Sequence, residues 1–294
     1  MATLLAAALT ACASPALPPS ATASPPATAF PSETPAPAAA STTGLPLVNV
    51  TPALVLEPPD FIASPTPTLL SLPLPAERLL IEAPGPGSQV LSPARIVGWG
   101  GPSHQDRVRI RLIGEDGEVL AQVRTYLLVP SGRSGRFVVD LPFHFAAVAE
   151  AALIEASYEN PLTARLDHLT TRRVVLLSTG RPLIHSYLVA PEKVTVFTPR
   201  EDRVVEGGSI LIRGAAWLDE DLPLLVEITD RQGNVLSSSE VALAAPALGE
   251  LGTFEVTLPY SVPYEQYGWV AVTERGLHPP AVLHYTSVRV WLKP

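Results

Sequence analysis

The sequence predicts an all-β chain: two tandem antiparallel sandwiches of seven strands each, set behind a disordered proline-rich N-terminal tether. Three observations carry that expectation. Short segments alternate apolar and polar residues at the two-residue period of a strand. Turn signals built on glycine and proline separate them. The whole pattern is then written a second time, about 116 residues further along the chain.

In the first copy a strand at 79–81 is stopped by Pro84-Gly85-Pro86-Gly87. A second strand covers 94–99. Residues 107–112 alternate strictly, which points Val108, Ile110 and Leu112 to one face and Arg107, Arg109 and Arg111 to the other. Asp116-Gly117 supplies the positive φ of a hairpin turn. Strands at 119–129, 136–141, 153–158 and 171–177 complete the set, with a short helical turn expected over 146–152.

The second copy reads 193–198, 210–214, 224–229, 235–243, 253–258, 269–273 and 285–292. Gly98 and Gly214 match at an offset of 116, and Phe137 and Phe254 at 117. Thr171 with Thr286, and Leu177 with Leu292, match at 115. The units are too long for solenoid repeats of about 20–50 residues, so they read as domains over 77–182 and 183–294. A link over 178–191 is short enough to set them end to end.

Ahead of the strands lies a different polymer. Of the 33 prolines, 16 fall in residues 13–76, which hold only three charges, Glu33, Glu57 and Asp60. Such a Pro, Ala, Ser and Thr segment cannot bury enough apolar surface to offset its ordering entropy. It is expected to be a semi-rigid, extended spacer over 12–76. The single cysteine, Cys12, excludes an intramolecular disulfide and a cysteine-rich metal site. The net charge is −8 and no segment is strongly basic, so the electrostatic footprint of a nucleic-acid binder is missing. No run of about 18 or more apolar residues occurs.

Two resemblances follow from these residues. Leu9-Thr10-Ala11-Cys12, after a short apolar run, resembles the lipobox of bacterial lipoproteins, although no basic residue precedes it. That resemblance implies a signal peptide over 1–11, acylation of Cys12, a membrane partner through that lipid, and an extracytoplasmic place in a bacterial cell envelope. The framework of the copies resembles the immunoglobulin-like domain of bacterial spore-germination lipoproteins. It does so through Pro84-Gly85-Pro86-Gly87-Ser88, the strand ending in Gly98, and Asp116-Gly117-Glu118-Val119-Leu120. Gly135-Arg136-Phe137 and Leu141-Pro142-Phe143 match as well. The matches cover about residues 78–294 and imply two immunoglobulin-like β-sandwiches without catalysis. A germination role belongs to other domains of that family and is not carried over.

Chemistry is sparse. The histidines, at 104, 144, 168, 185, 278 and 284, are scattered, and no His-x-x-x-His, Gly-x-Ser-x-Gly or phosphate-cradling motif occurs. Asp167-His168 is the nearest thing to a catalytic pair, but neighbours on extended chain point apart. Asp219 and Asp221, in the densest acidic loop, are weak metal candidates, since hard cations want six to eight oxygens. No cofactor is expected.

Tyr260, Tyr264, Tyr267 and Trp269 crowd one edge of the second copy. They read either as core and its cover or as a stacking surface for sugars. Arg107, Arg109 and Arg111 read either as a solvated face paired with cross-strand acids or as a meeting place for an acidic partner. The preferred function is a non-enzymatic surface lipoprotein that presents two modules to the envelope, to a protein partner or to a cell-wall polysaccharide. The alternative is a glycan- or solute-binding lipoprotein using the Tyr260–Trp269 edge.

Overall fold

A computed structural model describes residues 74–101, 106–130, 132–160, 165–188 and 190–294. Cys12, His104 and the tether up to residue 73 lie outside the described residues. The described chain is all-β, with sixteen strands and no helix among the described residues.

The first eight strands are β1 (Leu79–Ala83), β2 (Ser88–Leu91), β3 (Ala94–Gly100), β4 (Arg107–Ile113), β5 (Val119–Tyr126), β6 (Gly135–Leu141), β7 (Ala149–Glu159) and β8 (Leu166–Leu177). A three-stranded sheet, β1-β3-β6, faces the run β8-β7-β4-β5 across one core. Strand periodicity explains what fills it. Val108, Ile110 and Leu112 are fully buried together with Ile96, Phe137 and Ile154, while Arg107, Arg109 and Arg111 leave by the opposite face. No helical turn forms over 146–152. Ala149 already opens β7, where Ile154 and Ala156 are needed on the core face.

The second eight are β9 (Val194–Thr198), β10 (Arg203–Val205), β11 (Ser209–Ala216), β12 (Leu224–Thr229), β13 (Val235–Val241), β14 (Gly252–Pro259), β15 (Gln266–Leu277) and β16 (Pro280–Leu292). They repeat the first eight one for one. Sheet β14-β11-β9 faces β13-β12-β15-β16 across a separate core. Each half therefore has one strand more than the seven counted in the sequence. The extra strands are β2, parallel to β8, and β10, parallel to β16. Both are too short to show a period. Gly117 and Gly233 turn the equivalent hairpins at φ 86° and 89°, a conformation that favours glycine.

The sheet register corrects one offset. Val90 pairs with Leu176 in the first half and Val205 with Leu292 in the second, so Leu176, not Leu177, is the counterpart of Leu292. Along the last strands the offset is then 116, which makes His168 and His284 counterparts, and Thr170 and Thr286. Along the lead-in to the first strand it is 115, which matches Glu77 with Glu192 and Arg78 with Lys193.

The two halves do not sit end to end. β16 pairs antiparallel with β8, joining both large sheets into one of ten strands. Thr170 pairs with His284, Leu169 with Tyr285 and His168 with Thr286. In repeat terms this is a self-complementary set, centred on Leu169 and its counterpart Tyr285. The lead-in segments obey the same rule: Ala76 bridges its counterpart Pro191, Glu77 N donates to Ala190 O at 3.1 Å, and Glu192 N donates to Pro75 O at 2.7 Å. The halves thus meet about a local pseudo-two-fold axis, as two subunits meet in an isologous dimer. On the outer face the β15–β16 hairpin reaches across, burying Leu283 against Ile113 and Leu153. Thr171 Oγ1 donates to Leu283 O at 2.9 Å beside it.

Candidate functional site: a buried polar joint

The β8–β16 pairing puts His168, Thr170, His284 and Thr286 on one face of the sheet, at the axis. The paired lead-in segments bring Glu77, Glu192 and Lys193 over the same spot. None of these residues is more than partly exposed, and both imidazoles are fully buried. Glu77 is fully engaged within its own half. Its Oε1 accepts from Thr170 Oγ1 at 2.6 Å and its Oε2 from Arg172 Nη2 at 2.9 Å. Tyr187 lies under the Arg172 guanidinium, 4.7 Å from it.

Glu192 is treated differently, because Val288 stands at the position that Arg172 holds in the first half. No guanidinium among the described residues captures its carboxylate. Oε2 accepts the backbone N–H of Arg78 at 2.9 Å, and Oε1 lies 2.8 Å from His284 Nε2 and 3.5 Å from His168 Nε2. The two rings meet edge to face, with centroids 5.1 Å apart. Both nitrogens of His168, and Nδ1 of His284, have no hydrogen-bond partner among the described residues.

Burial holds both imidazoles neutral, pushing each pKa down to about 3 against the opposing pull of Glu192 on His168 and of Glu77 on His284. Next to them Lys193 Nζ lies 2.8 Å from Glu274 Oε2 and 2.7 Å from Asp219 Oδ2. Burial raises the Glu274 pKa in spite of that lysine. The joint therefore gathers four carboxylates, Glu77, Glu192, Glu274 and Asp219, around two cationic side chains, Arg172 and Lys193, with Arg78 at the exposed rim.

The residues singled out in the sequence fall elsewhere. Arg109 and Arg111 converge on Glu155, which is 1% exposed; Arg111 Nε donates to its Oε1 at 2.8 Å, and Arg109 also meets Glu159. Arg107 sits over the Tyr126 ring at 5.5 Å. Cross-strand acids therefore pair two of the three arginines.

The aromatic edge divides. Tyr260 is buried, its hydroxyl 2.9 Å from both Val205 O and Lys293 O, so it closes the core. Trp269 lies on the outer sheet face, not in the core, and the Arg165 guanidinium covers its ring at 3.6 Å. Tyr267, 44% exposed, meets Trp291 edge-on at 4.7 Å, and Arg289 lies over it at 5.0 Å. Tyr264 is exposed. Trp99 is 40% exposed at the end of β3.

The acidic loop does not assemble a cation shell. Asp219 turns to Lys193, Glu220 pairs with Arg173, and Asp230 is spent on its own turn, accepting from Gln232 N and Asn234 N at 2.8 and 2.9 Å. Glu201 and Asp202 lie at Arg289. Asp221 is exposed on its loop. Asp167 and His168 both lie in β8, where adjacent residues face opposite sides: Asp167 meets Arg165 at 2.5 Å while His168 enters the joint. The His168–Glu192–His284 group was missed because its members are far apart in sequence. The signal that would have found it is a histidine recurring at the repeat offset, in the last strand of each copy.

Comparison with known proteins adds a partial match. Residues 193–276 match the family described as the immunoglobulin-like domain of bacterial spore germination. That span, less than half of the chain, is thus similar to an immunoglobulin-like domain family. No curated protein matches the chain. Among solved structures, red sea bream transglutaminase is similar at 10% identity over 74% of this chain, with a TM-score of 0.26. The chain spans 31% of that enzyme's length, and a likeness at that score carries no argument.

Proposed function

We propose that this chain is a non-enzymatic surface lipoprotein whose two halves are both immunoglobulin-like modules, fused into one body that engages a protein partner of the cell envelope. The first half repeats the second strand for strand, which supports reading it as a diverged copy of the matched domain. Acylation of Cys12 and a spacer over 12–76 would hold that body off the membrane.

The observation that favours a protein over a sugar is the state of the outer aromatic face. A sugar stacks on an open ring face, but the Trp269 face is closed by Arg165. What remains outside is Tyr267, Trp291, Arg289 and Tyr264, a tyrosine, tryptophan and arginine mixture of the kind that carries binding energy at protein interfaces.

A photo-crosslinking amino acid placed at Tyr264 or Tyr267 of the full-length chain, in intact cells, tests this. The expected result is a discrete protein adduct from both positions and none from Arg95 on the opposite sheet. Adducts only with glycan, or equal adducts from Arg95, would overturn it. The anchor is tested separately by metabolic labelling with a palmitate analogue, which Cys12→Ala should abolish.

A further inference from the structure

We infer that His168, His284 and Glu192 form a structural site for a single divalent transition cation of the zinc class, which staples the two halves of the chain at their pseudo-two-fold axis. This goes beyond the binding role above and does not depend on it.

The donor set comes first. Two imidazole nitrogens and one carboxylate oxygen are ligands that suit zinc and its neighbours, and suit calcium or magnesium poorly. Their spacing comes second. Metal–ligand bonds of about 2.0–2.1 Å in tetrahedral geometry separate the donor atoms by roughly 3.3 Å. His168 Nε2 lies 3.5 Å from Glu192 Oε1, and His284 Nε2 lies 2.8 Å from the same oxygen. All three donor atoms lie within 4.8 Å of one another. A few tenths of an ångström of movement by flexible side chains would open the shorter gap.

The third argument is unsatisfied polarity. A buried polar group without a partner costs about 1–3 kcal/mol, and His168 has neither ring nitrogen bonded among the described residues. Its Nε2 nevertheless points at Glu192. A core histidine kept for packing has no need of a carboxylate at that nitrogen, whereas a ligand does. The fourth argument is charge. Among the described residues, Glu192 is the buried carboxylate of the joint with no Lys or Arg side chain on it, while Glu77 has Arg172 and Glu274 has Lys193. A divalent cation supplies the positive partner that Glu192 lacks.

Binding needs no net proton loss. Where His284 now offers an Nε2–H to Glu192, the proton moves to Nδ1, which has no partner among the described residues, and Nε2 turns its lone pair to the metal. Full burial of both histidines bars a substrate from the ion, so the role is cross-linking: one ligand comes from β8, one from β16 and one from the lead-in to β9. The same burial makes metal exchange slow, because the joint must open for the ion to pass.

The test uses the untagged full-length chain, stripped with chelator and dialysed against Zn²⁺. Bound metal is read by elemental analysis, and Co²⁺ is used in parallel for its visible ligand-field absorption. The expected result is one ion per chain, a four-coordinate Co²⁺ spectrum with a water molecule as the fourth ligand, and a higher melting temperature in the loaded form. Glu192→Gln preserves size and hydrogen bonding and should weaken binding at least tenfold while the chain stays folded. His168→Asn and His284→Asn should each abolish the spectrum. His185→Asn, on an exposed histidine, should change nothing. No stoichiometric metal in the parent chain, or unchanged affinity in folded Glu192→Gln, would overturn the assignment.

Discussion

Gly98 and Gly214 offer the sharpest perturbation of the fold. In each half the glycine faces a phenylalanine across the smaller sheet: Gly98 pairs with Phe137 and Gly214 with Phe254. A Cβ built on Gly98 falls closer than 3.0 Å to Phe137 Cζ and to the Leu80 carbonyl oxygen. At Gly214 the same two intrusions involve Phe254 Cζ and Thr195 O. Ordinary contact begins at 3.4 Å, so ring and backbone must each retreat by on the order of 1 Å in a core packed near crystal density. Overpacking of this kind costs about 1–3 kcal/mol, and more when backbone must move. Lost unfolded-chain freedom returns about 0.4–1 kcal/mol.

Because backbone as well as ring must move, Gly98→Ala should fall at the upper part of that balance and destabilise the chain by about 1–3 kcal/mol, lowering its melting temperature by roughly 2–12 °C at about 2–4 °C per kcal/mol. Calorimetry and denaturant titration both read this. The double variant Gly98→Ala/Phe137→Leu should cost less than the sum of the singles, because leucine withdraws the ring edge, with a coupling of about 1 kcal/mol. The rescue is partial, since the carbonyl contact remains. A change below about 0.5 kcal/mol for Gly98→Ala, or strict additivity in the cycle, would refute the close-approach argument.

Leu283→Ala removes the buried plug between the β15–β16 hairpin and the first half. It should cost about 2–5 kcal/mol and speed limited proteolysis within residues 178–191; unchanged cleavage there would sink the idea that the hairpin clamps the halves. Glu155→Ala strips Arg109 and Arg111 of their shared carboxylate. Both arginines keep some solvent, so the loss should be about 2 kcal/mol, below the 3–5 of a fully buried pair, and Glu155→Gln should recover part of it in denaturant melts. With chelator present, acid should destabilise the joint. Unfolded histidine takes a proton near pH 6.5, whereas burial keeps His168 and His284 neutral down to about 3. Stability is then complete above about pH 6.5 and falls with pH below it. The fall is about 1.4 kcal/mol per unit for each histidine, roughly 4 kcal/mol in all by pH 5. The raised pKa of Glu274 works the other way and offsets part of it. A midpoint that stays flat from pH 7 to 5 would exclude buried neutral histidines.

The readable part of the fold was whatever local period and turn chemistry dictate. Val108, Ile110 and Leu112 alternate because the strand has a two-residue period, and they are indeed fully buried. Gly117 and Gly233 marked their hairpins because no other residue adopts their φ as easily. Gly98 and Phe137 were both visible as repeat signatures, but that they are halves of one cross-strand contact is a fact of register, which no local pattern fixes. The joint was illegible for the same reason. The β8–β16 pairing comes from strand ends about 115 residues apart, and its polar residues are spaced by the repeat and not by a motif. The outward place of Trp269 was equally hidden, because its neighbour there, Arg165, stands just before β8 in the other half.

At the joint one difference between the copies decides the chemistry. His168 and His284 are counterparts, as are Glu77 and Glu192, so a symmetric joint would carry two equivalent carboxylates. Arg172 breaks the symmetry by claiming Glu77, while half-buried Val288 at the matching place leaves Glu192 to the histidines. Val288→Arg should restore the symmetry. By the pseudo-two-fold, its guanidinium would reach Glu192 as Arg172 reaches Glu77, forming a charge-assisted pair at the half-exposed rim. The chain should fold as before, with its neutral-pH melting temperature in chelator unchanged or slightly raised. Zn²⁺ affinity should fall at least tenfold, because the carboxylate is occupied and a fixed positive charge stands beside the ion. A folded Val288→Arg that still binds Zn²⁺ as tightly as the parent would mean that Glu192 is not the deciding ligand.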